Sequence, residues 1–409
     1  MKALVLAGGF PQIALIEKLK KRGMVVLLAD WTEHPPAEKY ADVFYRESTL
    51  DVAAIEKIAA NEQVDLIMTV CTDQALNTVA VVSEKLGLPC YIDAKTGRNV
   101  TNKRYMKEVF ASAGIPTAKH VICSEGEDIP TDISFPAVVK PVDCNSSKGV
   151  VKVTTRKELQ NAVAFAQQYS RTHGAIIEEF IEGMELTIDA IVEDGKATVL
   201  CISEMQKIKS EKKFVVCRSM IPPSDDISCL EEKIHAVVQK IASAFGLKNC
   251  PMLVQMLCRG NDVFVVEFSA RTGGGEKYQS IQQYSGVDII QKTIDITLGK
   301  YQPVQPVRSE KYILNEFIYC TPGVVDHYEG FDAAYELGYI TSYEIFKNKG
   351  SEIGMANSSG DRAAALTFIS NSKSELEEAY QRALSMIKVL DVNGTDIVQH
   401  DIAMNFSEC

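Results

Sequence analysis

Three polar side chains at two-residue spacing, Glu267, Ser269 and Arg271, follow the apolar run Val263–Val266 and precede Gly273–Gly275. On a strand that spacing sets them on one face. There a carboxylate can hold Mg²⁺ against phosphate oxygens, a hydroxyl can add an oxygen ligand, and a guanidinium can neutralise charge on a transferring phosphoryl group. An exposed polar strand face would look the same taken alone. Upstream, Lys140 ends the apolar segment Ala137–Val139 immediately before Pro141, and an ammonium buried there is costly unless an anion neutralises it. Ser146, Ser147, Lys148 and Gly149 supply hydroxyls, backbone N–H groups and a further cation in a turn, as a polyphosphate cradle requires. In Ile176–Glu185 a strand gives way to a bend around Glu178, Glu179, Phe180 and Ile181. Such a bend leaves backbone groups to pair with the edge of a flat heterocycle, while Glu185 can accept from ribose hydroxyls. Lys103 stands near the start of a helix with an apolar face, where a lone lysine is ordinarily a solvated charge.

The elements that must position these groups follow from periodicity. Residues 1–95 alternate short β-branched runs (Ala3–Ala7, Met24–Ala29, Asp65–Val70) with helical periods that stop at Gly23 and Gly87, the pattern of βαβ units on an open parallel sheet. Their first turn, Ala7–Gln12, could hold an anion at a helix N-terminus. Asp30 sits where a ribose-binding acid would in a dinucleotide enzyme, but the spacing G-x-G-x-x-G is missing. A helix over 101–114 leads into strands at Ala118–Cys123, Ala137–Lys140, Gly149–Val153, Ala175–Phe180, Leu186–Val192 and Lys196–Glu204, an antiparallel α+β pattern. Capping boxes at Thr155/Glu158, Ser228/Glu231 and Ser372/Glu375 open further helices, the last running to Leu390. Met252–Cys258 and Val263–Phe268 form a hairpin, and the Pro-punctuated stretch Gln302–Val307 marks a boundary. The fold class is therefore α/β and α+β. An N-terminal α/β domain spans 1–95, a central domain 96–300 with a lid subdomain about 118–185, and a small α+β domain 301–409.

Composition narrows the function. Lys and Arg number 43 against 54 Asp and Glu, a net charge of −11, so no global positive field exists to hold a nucleic acid. No apolar run approaches the roughly 18 residues of a membrane span. The start MKALVLAGGF reads as a buried first strand rather than a signal peptide. Eleven cysteines without a CxxC pair, and six histidines without HxH or HxxxH spacing, point to reduced thiols in a cytoplasmic protein and away from zinc hydrolases.

In order and spacing these elements resemble the ATP-grasp superfamily of carboxylate–amine or carboxylate–thiol ligases, over nearly the whole chain, in the branch of carbamoyl-phosphate synthases, biotin carboxylases and amino-acid ligases. The resemblance implies a pre-ATP-grasp N-terminal domain, central ATP-grasp domains and a C-terminal domain bordering the site. It implies ATP and Mg²⁺ or Mn²⁺ as cofactors, with Lys103 and Lys140 contacting phosphates and Ser146, Ser147, Lys148 and Gly149 forming the loop over them. Glu178, Glu179, Phe180 and Ile181 would be the adenine hinge, Glu185 the ribose acid, Glu267 a metal ligand and Arg271 the catalytic guanidinium. Two departures stand out: Gln255 replaces the usual first metal-binding Glu, and Ser269 the usual Asn, so the metal set Glu267, Gln255, Ser269 carries one negative charge less. The reaction implied is phosphorylation of a small-molecule carboxylate, an amino acid among the options, to an acyl phosphate that an amine attacks. The alternative is an ATP-binding sensor or scaffold with a degenerate metal site. Substrate contacts are expected from Arg271, Gly273–Gly275, and Lys207, Lys209 or Arg218, with Gly323 and Ser358–Arg362 resembling C-terminal loops that border the site. Dimers are common in that family, and neither nucleic acid nor membrane is an expected partner.

Overall fold

A computed structural model describes residues 1–144, 147–210, 214–300 and 302–402. Val43–Arg46, Val25–Asp30, Lys2–Leu6 and Leu66–Met68 pair in that order as an all-parallel sheet. Its inner strands are almost wholly buried between helices, as a two-faced parallel sheet requires. Helix Asp73–Leu86 ends on Gly87 at φ 65°, the left-handed stop that glycine adopts without steric cost. The turn after the first strand is filled by the chain itself: the Gly8 amide donates to Asp30 Oδ2 at 2.7 Å, and a Cβ on Gly8 would stand 2.4 Å from Pro35 Cβ. Its glycine serves close packing, and Asp30 is occupied.

A small four-stranded antiparallel sheet follows, ordered His120–Cys123, Ala175–Glu179, Ala137–Pro141, Val151–Val153 and backed by helix Arg156–Tyr169. Thr155 caps that helix as its sequence predicts, accepting from the Glu158 amide. Ser228 does not cap the next one; its amide and hydroxyl bond Asp226 and the helix begins at Ser228 itself. The largest sheet has eight strands, in the order Asp262–Ser269, Cys250–Arg259, Met184–Glu193, Lys196–Lys207, Val216–Ile221, Tyr312–Ile318, Ala364–Ser370, Ser342–Ile345. It runs continuously past residue 300. Helix Lys373–Met386 stops short of Leu390, because Lys388–Asp391 is taken as a strand by Gly323–Glu329. Among the described residues no helix is long and apolar enough to cross a membrane, and all ten cysteines are free.

Candidate active site

The small sheet, the large sheet and the N-terminal helices enclose a cavity of about 810 Å³. Lys103, Lys140, Ser147, Lys148, Glu178, Glu179, Phe180, Ile181, Glu185, Gln255, Glu267 and Arg271 all line it, although they are spread over 169 residue positions, from 103 to 271. Gly149 does not: at φ 72° it packs where a Cβ would meet Pro141 Cγ at 2.8 Å, so it shapes the turn from behind. Ser269 lines a small adjoining recess with Asp73, Gln255 and Glu267. Ser146 lies outside the described residues.

Glu267 faces the cavity because of a bulge. The register passes from Gln255↔Glu267 to Met256↔Val265, leaving Val266 as the extra residue. In a regular strand Glu267 would share a face with Val263 and Val265, which are buried in the core. One inserted residue turns its carboxylate outward, a typical use of a bulge beside a site. Simple alternation, by which Val266 and Glu267 take opposite faces, fails at this point: both are partly exposed. Opposite Glu267, helix Lys103–Ala113 starts at the Asn102 cap and aims Lys103 Nζ at Glu267 Oε2, 3.1 Å away, and at the Cys144 carbonyl at 2.7 Å. Burial opposes the Lys103 charge, but Glu267 and then Asp73 outweigh it and hold the ammonium above its ordinary pKa.

Deeper in, Glu178 receives Lys107 Nζ on Oε1 and Lys140 Nζ on Oε2, each at 2.7 Å, and all three are buried. Burial pushes the Glu178 carboxyl up, yet the two ammonium groups overcome this and bring it to about 2. Glu178 thus anchors two lysines at the cavity wall. Of the hinge amides, Glu179 donates to Lys119 O at 2.9 Å and Phe180 to Pro136 O at 3.1 Å; Ile181 is the first without a partner among the described residues. Phe180 and Phe214 stand 6.3 Å apart at the mouth, with Lys152 3.7 Å over the Phe180 ring. Glu185 pairs with Lys207 at 2.5 Å.

Arg271 projects toward the N-terminal domain, where Nε meets Asp73 Oδ1 at 2.6 Å and Nη2 meets Oδ2, a bidentate pair. Burial works to raise the Asp73 carboxyl, but Arg271 overrides it and keeps the group ionised below the usual range. Next to it the Gly273 amide donates to Asp189 Oδ1 at 3.1 Å, and a Cβ there would come within 2.8 Å of that oxygen. Arg218 is not a substrate contact. It is fully buried and ties Glu316 at 2.6 Å and Tyr380 at 2.6 Å across the large sheet. Lys209 is exposed and does not line the cavity. From the C-terminal segment Ser359 and Arg362 do line it, whereas Gly323 starts a strand of the separate three-stranded sheet.

Sequence reasoning does not reach Asp73, Lys107 or Lys152. A signal existed for Lys107, which stands four residues after Lys103 and so on the same helix face. Nothing local marks Asp73, whose partner is 198 residues away.

The chain can hold a divalent ion to a limited degree. Glu267 and Gln255 are cross-strand partners beside Asp73 and Ser269, but no group of three or more His, Cys, Asp or Glu suited to a metal occurs among the described residues. That donor set fits a hard cation whose remaining oxygens come from phosphates.

A cavity lined by Lys103, Lys140, Lys148 and Lys152 between a small antiparallel sheet and a larger one is suited to an anionic ligand. Residues 133–280 match the ATP-grasp domain and residues 316–390 the L-amino acid ligase C-terminal domain 2. The chain thus carries an ATP-grasp domain over residues 133–280. It is 27% identical to the formate-dependent phosphoribosylglycinamide formyltransferase of Shewanella frigidimarina, over 66% of this chain and 68% of that protein. It is 23% identical to the phosphoribosylamine–glycine ligase of Streptomyces coelicolor over 97% of both. Among solved structures, the L-amino acid ligase from Bacillus licheniformis shares the fold with a TM-score of 0.80 at 20% identity, covering 95% of this chain and 98% of that one.

Proposed function

We propose that this protein is an ATP-dependent carboxylate–amine ligase whose carboxylate substrate is an amino acid, with Lys103, Lys140 and Arg271 acting on the transferred phosphoryl group. The observation that carries this reading is the convergence of Lys103, Lys140, Glu267 and Arg271 on one cavity. Lys103 and Lys140 are each tied to a carboxylate, so they are preorganised cations whose orientation costs little at the moment of reaction. Phe180 and Phe214 offer flat faces for a purine, and the Ile181 amide a donor for its edge. Glu185 would accept from ribose hydroxyls and Ser147 and Lys148 would contact phosphates, a reading supported by their lining the same cavity. Glu267 and Gln255 would hold Mg²⁺, which when bound with ATP neutralises phosphate oxygens. Arg271, released in part from Asp73, would stabilise charge on the phosphoryl group during transfer to the substrate carboxylate. The acyl phosphate survives until the amine arrives only if bound substrates fill the open side of the cavity and displace water from it. An amino-acid substrate is supported by the match of residues 316–390 to an L-amino acid ligase domain, and a cytoplasmic setting by the free thiols.

The test is ADP release from ATP and Mg²⁺ with pooled amino and hydroxy acids, followed by mass-spectrometric identification of products. Turnover is expected with amino acids, lowered about 10²–10³-fold in kcat by Arg271→Ala. Nucleotide binding without turnover across the pool would overturn the reading and leave a sensor.

A further inference from the structure

A row of polar side chains crosses the floor of the cavity strand by strand. Gln255 stands opposite Glu267 on one side and Thr187 on the other, and Thr187 stands opposite Ser203. Two residues along from Ser203, Met205 faces Ser219 on the next strand, so Thr187, Ser203 and Ser219 share one side of the sheet. Lys277 comes down on this row from the first position of helix Lys277–Ser285. It is 4% exposed, lines the cavity, and gives its ammonium to Ser203 Oγ and to Ser219 Oγ, the latter at 2.8 Å. Both partners are neutral hydroxyls, and among the described residues no carboxylate forms an ion pair with Lys277. Asp189, the acid whose field it feels, is occupied: its Oδ1 takes the Gly273 amide at 3.1 Å and its Oδ2 the Cys201 thiol at 3.9 Å. Burial presses the Lys277 ammonium below its ordinary pKa, and the pull of Asp189 offsets that only in part. Glu276, one residue earlier, shares its proton with Glu344 and has Arg362 beside it, so its charge is answered within the chain. The donors on this floor are not all used. Lys277 has a third N–H, and Thr187 Oγ1, on a cavity-lining residue 3% exposed, has no hydrogen-bond partner. A buried cation beside an idle hydroxyl is unfavourable unless an anion meets both.

Spacing selects the anion. Ser203 is two strands from Gln255, and strands lie roughly 4.8 Å apart, which puts the Lys277 ammonium roughly 10 Å along the floor from the pair Gln255 and Glu267. A metal-held γ-phosphoryl group and one carboxylate in line with it fill about that length. We propose that Lys277 is a catalytic residue that holds the acceptor carboxylate for phosphorylation and then the oxygen left on its carbon, with Thr187 as a second donor. The inference rests on the ligase reading and adds to it a cation for the acid substrate separate from Arg271. One carboxylate oxygen attacks the γ-phosphorus, and the bond to the ADP oxygen breaks with its electron pair leaving on ADP. The other oxygen stays against Lys277 as the carbonyl of the acyl phosphate. When a neutral amine adds to that carbon, the carbonyl π pair moves onto this oxygen and the ammonium meets the charge as it forms. The pair then returns, the C–O bond to phosphate breaks, and the departing phosphate takes the surplus nitrogen proton.

The experiment uses the full chain with ATP, Mg²⁺ and the amino acid that the wild type turns over fastest. Lys277→Met keeps the length of the side chain and removes the buried charge, so the thermal midpoint without ligand should hold or rise. Its kcat/KM for the acid should fall about 10²–10³-fold, as for one lost oxyanion donor, while ADP affinity by isothermal titration stays at the wild-type value. Thr187→Val, of nearly the same shape, should lower the acid kcat/KM by about 3- to 10-fold. A lysine that only packs the floor gives another pattern, in which the midpoint and ADP affinity of Lys277→Met fall together with activity. That pattern, an acid kcat/KM that survives Lys277→Met, or one that is unchanged in Thr187→Val would overturn the proposal. Turnover by the wild type keeps the two readings apart. Wild-type turnover with an indifferent Lys277→Met sinks only this inference, whereas no turnover with any acid sinks the ligase reading and this one with it.

Discussion

At one end of the cavity two ammonium groups share one carboxylate; at the other two carboxyls share one proton. Glu178 is as buried as Glu276, so desolvation presses on both. Their neighbours decide the outcome. Lys107 and Lys140 bring Glu178 to about 2, while Glu344, facing only Glu276, is pushed up to about 10 by burial and by its partner's charge. One end therefore keeps a surplus cation for an anionic ligand, whereas at the other the single negative charge of the carboxyl pair lies in the field of Arg362. Similar burial with different net charge makes the cavity polar along its length.

The comparison breaks first at Glu178. Glu178→Gln leaves two buried ammonium groups without a counter-charge and is expected to cost about 3–5 kcal/mol of stability, read from urea unfolding. An unchanged midpoint would mean the lysines do not depend on it. The next effect is in pH. Glu178 has a folded pKa depressed from 4.5 to about 2, so its contribution is present above 4.5 and lost as pH falls toward 2. Glu344 has a folded pKa raised from 4.5 to about 10, so its contribution is present below 4.5 and lost as pH rises toward 10. Thermal midpoints should fall on both arms. Glu344→Gln should flatten the alkaline arm and leave the acid arm standing; if both arms flatten together, the two carboxylate sites are not independent. The smallest effect is at the metal set. Gln255→Glu restores a carboxylate across the strand pair from Glu267, and the Mg²⁺ concentration giving half-maximal activity should fall severalfold, by roughly 1 kcal/mol of added charge attraction. No change would show that Gln255 does not face the ion.

Local signals were enough for groups whose setting is a single strand or turn. Lys140 before Pro141, Glu267 before the glycines, and the parallel units of the first sheet are all readable because burial pattern and turn chemistry sit beside the residue itself. The orientation of Glu267 was reached by an alternation that the Val266 bulge interrupts. A bulge is set by the partner strand, which the sequence of one strand does not contain. Asp73, and the true partner of Glu178, depend on segments distant in the chain, and ion pairs of that reach leave no periodic trace. Strand Val43–Arg46 lacks alternation because it is a half-exposed sheet edge. Helix Lys277–Ser285 buries Lys277, Ser280 and Ser285 beside Ile281, so its inward face carries no apolar stripe to read.

The Lys107–Glu178 contact has a mechanical side. Glu178 belongs to the small roofing sheet, whereas Lys107 belongs to a helix outside it. Their buried bond pins the roof at its inner end, like the fulcrum of a lever. It is not the only tie: the Lys103 amide donates to the Val142 carbonyl at 3.0 Å and the Ser147 hydroxyl to the Phe214 carbonyl at 3.1 Å. A side chain swung out at one of these ties would still leave Lys107 and Lys140 aimed from opposite sides at the same carboxylate.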